Sequence, residues 1–163
     1  MPNTLSTLGI IHTIISIIAL LVGLNTLIRK GRIDPATSQG QLYTWLTIIT
    51  CVTGFPIMKT GHFTPGHYLS IIIVIMLPIA IYAYRIFGKA AVYVQAAIMS
   101  ATVFLSLIPA VVETTTRLPV SHPFASGPAD PLIQKALSGL LLLFVVGTVY
   151  QLLRLRVSDK NAG

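Results

Sequence analysis

The chain has 163 residues, 54% of them hydrophobic and only 9% charged, with a mean hydropathy of +0.83. A water-soluble domain of this length cannot bury so much apolar surface, so the composition excludes an ordinary soluble globule and points to an integral membrane protein. The formal charge of +7 comes from short basic clusters beside apolar runs, without an interleaved aromatic patch, and this favours membrane orientation over a nucleic-acid partner.

A hydrocarbon core of about 30 Å requires roughly 20 apolar residues per helix. Five segments of this kind predict an all-α, integral membrane helical bundle with five transmembrane helices, at about 5–28, 35–58, 65–86, 91–112 and 131–155, forming one membrane domain over 1–163. The first runs from Leu5 to Ile28 and is stopped by Arg29, Lys30 and Arg32. It reads as a retained helix, because Met1-Pro2-Asn3 is not basic and no small-residue cleavage site follows. The second opens at Asp34-Pro35, an N-cap followed by a proline whose missing N–H costs nothing at N1. It contains Cys51, the single cysteine, which excludes an internal disulfide and a CxxC motif and reads as a small buried hydrophobe.

Thr64-Pro65 repeats the start signal for the third helix, with a kink expected at Pro78. Phe87-Gly88-Lys89 connects to the fourth, Ala91 to Val112, which Pro109 bends in its last turn. Residues 113–131 are the longest non-apolar stretch and hold His122. Asp130-Pro131 then starts the fifth helix, which ends in a polar tail.

Cytoplasmic loops retain positive charge. Arg29, Lys30, Arg32, Arg85, Lys89, Arg154, Arg156 and Lys160 fall on one side, against Lys59, Arg117 and Lys135 on the other, which predicts N-terminus out, C-terminus in. Tyr43, Trp45, Tyr82, Tyr84, Tyr93 and Tyr150 near the cytoplasmic ends read as an aromatic belt. Ala19-x-x-x-Gly23 and Ala97-x-x-x-Ala101 mark faces for close helix contact. Gln95, Gln134 and Glu113 are read as helix-to-helix hydrogen-bonding groups.

This sidedness puts all four histidines near the outer surface. His62 and His67 sit on the turn Met58–Tyr68, His122 is in the long connection, and His12 lies ~5 Å below the hydrocarbon boundary at 1.5 Å per residue. An ionisable side chain at membrane depth marks a functional site by default, and two imidazoles from separate helices are what haem b in a helical bundle requires. His12 and His67 are therefore the candidate haem ligands. His62, His67 and His122 with Glu113 are the candidate set for a transition metal, zinc or copper. No HExxH or CxxC spacing accompanies them. Neither GxSxG nor a midplane carboxylate is present to support nucleophilic catalysis or a transporter.

His12, Ala19-Leu20, Gly23, Gly40-x-x-Tyr43 and Gly54 together resemble a family of small uncharacterised bacterial multi-helix membrane proteins, over about the first 70 residues. That family pairs a helix 1 histidine with a His-Arg-containing start to helix 2, where this chain has Thr37-Ser38-Gln39. The resemblance implies a bacterial inner (plasma) membrane location and draws attention to His12. Three functions are then expected in turn. The first is haem b or metal binding for electron transfer, with a quinone or a larger complex as partner. The second is a cofactor-free accessory subunit that packs against other membrane subunits or self-associates in the lipid bilayer. The third is a small channel or transporter.

Overall fold

The computed structural model describes residues 6–57 and 62–161, and these are all-helical. Helix α1 spans Thr7–Lys30, α2 Ser38–Gly54, α3 Pro65–Ile81, α4 Ala83–Phe87, α5 Ala91–Arg117 and α6 Pro131–Asn161. Leu5, Met58 and Lys59, named above as helix ends or outer charges, lie outside the described residues, as does the side chain of Lys160.

The first connection corrects the expected start of helix 2. Asp34-Pro35 forms a turn instead of a helix start, because the Asp34 carboxylate accepts from the Ala36 N–H (2.9 Å) and pairs with Arg32 (3.1 Å). Its carbonyl accepts from the Thr37 N–H (3.0 Å) and hydroxyl (2.8 Å). Thr37 is the actual cap, accepting from the Gly40 N–H at 3.2 Å. Gly40 then passes so close to this turn that a Cβ there would sit 1.9 Å from the Asp34 carbonyl oxygen. α2 stops at Gly54, before Pro56, whose ring nitrogen has no N–H to continue the ladder.

The third expected helix also divides. It runs from Thr64-Pro65 as predicted but breaks at Tyr82, and α4 adds one more turn. Gly88 (φ 51°, ψ −118°), in a backbone region closed to most side chains, and the 3₁₀ turn Gly88–Ala90 then reverse the chain. Gln95 shows the reversal: its Nε2 donates to the Ala80 carbonyl at 2.9 Å, whereas fifteen residues along one straight helix would span ~22 Å. This is the helix-to-helix bond expected of Gln95. Gln134 instead donates to the nearby Pro128 carbonyl (3.2 Å), and Glu113 pairs with Arg117 one turn along its own helix.

α1, α2, α3 and α5 pack in sequence as a closed antiparallel ring, α1 also touching α5, while α6 lies outside the ring with its helix packed on α5. Tyr43 fills the middle of the ring and does not belong to the aromatic belt. It is 1% exposed, its ring lies over Gly23, where a Cβ would meet it at 2.8 Å, and its hydroxyl is 2.9 Å from the Thr102 Oγ1. Leu77, Met99, Val103 and Ile73 complete this core, with Cys51 buried and free as expected. In a bilayer, lipid would supply no hydrophobic drive between helices, and close packing and such hydrogen bonds would hold the ring. On α6, Phe144 stacks on Phe104 (4.7 Å between centroids) and Gln151 accepts from Ser100 (2.8 Å). Its N-terminus is held by Asp130, whose carboxyl is kept below the usual carboxylate range by the N–H groups of Ser126 and Leu132.

α1, the stretch Ala83–Arg117 that contains α4 and α5, and Pro131–Ser158 of α6 are each long and apolar enough to cross a membrane. α2 and α3, at 17 residues, stand at the short limit for a crossing. The antiparallel order gathers Arg29, Lys30, Arg32, Arg85, Lys89, Arg154 and Arg156 at one end of the bundle. A Cβ on Gly31 would lie 3.7 Å from Arg154 Nη1 there.

Candidate functional site

The opposite end carries the histidines, and the structure gives each a different environment. His67 is the third residue of α3 and is 4% exposed. Its Nδ1 accepts from the Thr64 N–H (3.0 Å) and lies 2.8 Å from the Thr64 Oγ1. Acceptance from a backbone N–H requires a bare Nδ1, so the neutral ring carries its proton on Nε2. That proton points to the Phe55 carbonyl, 3.2 Å away. The ring thus reaches back to the helix cap in the manner of a capping box, in which glutamate or glutamine more often occupies the third position. It also receives one of the carbonyls that the end of α2 leaves open. Phe63 meets the same ring edge-on at 5.3 Å and Phe55 at 6.1 Å.

His12 sits half-buried on α1 against the last turn of α2. Its Nδ1 is 3.1 Å from the Thr53 Oγ1, and the Thr53 hydroxyl already donates to the Ile49 carbonyl at 2.8 Å. The imidazole must therefore be the donor, which leaves the lone pair on Nε2. Gly54 makes room for the ring: a Cβ there would lie 3.2 Å from His12 Cε1. The Glu113 carboxylate is paired with Arg117 on its own helix.

The pair expected to bind haem, His12 and His67, thus consists of one imidazole with an available nitrogen and one with both nitrogens committed. A haem bond to His67 would break the α3 cap and strand the Phe55 carbonyl, so these two residues, as arranged here, do not fit a bis-histidine haem. The four residues of the expected metal set are placed apart. His62, His67, His122 and Glu113 are not brought together, and no group of three or more His, Cys, Asp or Glu able to hold a metal occurs among the described residues. The reason is local. His62 and His122 lie exposed in separate connections, and the bonds just described occupy His67 and Glu113.

Thr53 and Phe55 went unread in the sequence. Threonine three residues after another threonine is a weak signal, and a backbone carbonyl carries none. No protein-family model, curated protein or solved structure matches the chain.

Proposed function

We propose that this chain is a five-crossing membrane protein, amino terminus outside, that serves as a cofactor-free subunit packing against other membrane chains. The basic residues at one end of the ring support the orientation, because positive charge is retained on the cytoplasmic side. Two further crossings would be α2 and the broken helix α3–α4. The association reading is carried by α6. One side of it packs on α5, and the rest presents Ala136, Gly139, Leu143 and Gly147 at spacings of three and four residues. Nothing lies within 4 Å of a Cβ built on either glycine. Each glycine costs a helix about 1 kcal/mol relative to alanine, a cost repaid where another helix approaches closely.

The test is the size and company of the chain in mild detergent. Gly139→Leu with Gly147→Leu should leave the monomer's thermal midpoint within about 2 °C while removing co-purifying chains or the self-associated form. A chain that is monomeric and partnerless before any substitution sinks the reading.

A second reading, binding of haem b or a transition metal at the outer side for electron transfer, keeps support from one observation: the unprotonated Nε2 of His12. It requires the remaining ligands to come from a partner chain or a second copy. The expected result is a Soret band or stoichiometric metal in the purified assembly, lost in His12→Ala. A colourless, metal-free assembly removes this reading and leaves the first.

A further inference from the structure

The basic end of the bundle also carries a groove between α2 and α3. It has a volume of about 420 Å³ and is lined by Pro35, Gln41, Thr44, Trp45, Ile48 and Ile81, within the size range of small-molecule sites, roughly 300–1,000 Å³. Its chemistry changes along its length. Pro35 and the exposed Gln41 stand at the mouth, beside the first connection, and Trp45 and Ile48 follow toward the middle of the bundle. Gln41 to Ile48 is about 10 Å along α2. A polar mouth at a helix end that gives way to an apolar bed is the profile of a phospholipid seated parallel to the helices.

The charge around the mouth selects the headgroup. Arg85 follows Ile81 by one turn's worth of chain and lies over the Tyr82 ring at 5.8 Å, and Lys89 follows in the reversing turn. Of the described carboxylates, the one at this end, Asp34, is already paired with Arg32. The remaining cations there, including Arg29, Lys30, Arg154 and Arg156, have a net field that an anion would balance.

From this geometry we infer that the α2–α3 groove binds an anionic phospholipid of the bilayer, its acyl chain along Trp45, Ile48 and Ile81 and its phosphate at Arg85 and Lys89. The inference rests on the membrane reading above. It does not depend on α6 or on any cofactor.

Trp45 is the single tryptophan and lines this groove, so all tryptophan fluorescence arises at its wall, and the comparison between lipids separates the groove from general lipid contact. The full chain in phosphatidylcholine nanodiscs is titrated with phosphatidylglycerol or phosphatidylcholine brominated on the acyl chains. One basic side chain near a membrane surface contributes about 1 kcal/mol toward an anionic lipid, a factor of about five. Half-maximal quenching should therefore need at least about fivefold less brominated phosphatidylglycerol than brominated phosphatidylcholine. Arg85→Gln with Lys89→Gln, both exposed positions, should bring the two within about twofold at unchanged helix content. Equal quenching by both lipids in the unaltered chain overturns the site and leaves the membrane reading intact. A preference that survives the double substitution overturns the assignment of the headgroup. Quenching by neither lipid overturns both the site and the membrane reading.

Discussion

Gly40→Ala should be among the most damaging single-atom additions to this chain, lowering its stability by roughly 3–4 kcal/mol and its thermal midpoint by ~10 °C. The added Cβ would meet the Asp34 carbonyl oxygen at 1.9 Å, its carbon at 2.5 Å and the Pro35 nitrogen at 3.0 Å. All three are backbone atoms, so no rotamer change relieves the overlap. Those atoms are also fixed by the bonds that Thr37 and Ala36 make to Asp34. The change must open the first connection or shift the start of α2, which displaces Tyr43 three residues on. Gly66→Ala is the control, because its Cβ would come no nearer than 3.6 Å, to the Thr64 Oγ1, an ordinary contact. Thermal midpoints of the two variants in one detergent make the comparison, and equal values would mean that the Gly40 contact is not as drawn.

His67→Ala should cost about 3 kcal/mol, from a half-buried N–H and a half-buried carbonyl left without partners together with the void left by the ring. His67→Gln separates the two halves of its role. A glutamine at the third helical position can still reach back to the Thr64 N–H, but it replaces neither the ring between Phe55 and Phe63 nor the bond to the Phe55 carbonyl. We expect glutamine to recover roughly half of the loss. Equal midpoints for the alanine and glutamine variants would show that the cap contributes nothing. A coloured or metal-loaded chain that lost its chromophore in both variants at unchanged stability would restore His67 as a ligand.

The parts of this fold legible in the sequence are those fixed by neighbouring residues. Thr64-Pro65 starts α3 where expected, and Phe87-Gly88-Lys89 turns the chain between α4 and α5, because capping and a glycine turn are decided within a few residues. The same reasoning failed at Asp34-Pro35, where a second cap, Thr37, follows three residues later and competes successfully once Asp34 bonds back into its own turn. Tyr43 was misplaced for a different reason. Its burial depends on Gly23 and on Thr102, 59 residues away, and no pattern within α2 encodes that meeting.

The histidine end divides along similar lines. The order of the helices suffices to bring four imidazoles toward one end of the bundle, but not to say which nitrogens are free. For His67 the deciding partner is the main-chain oxygen of Phe55, which any residue at that position would supply. For His12 it is the direction of the Thr53 hydroxyl, settled by carbonyls earlier in α2. Both depend on where α2 ends relative to its neighbours.

Among the helices α6 packs on α5, so the ring of α1, α2, α3 and α5 closes without it. α6 is made after the four helices of the ring, and its arrival disturbs their contacts least. The earlier helices can close on themselves while the ribosome is still adding residues, and α6 can join afterwards as an attachment arm.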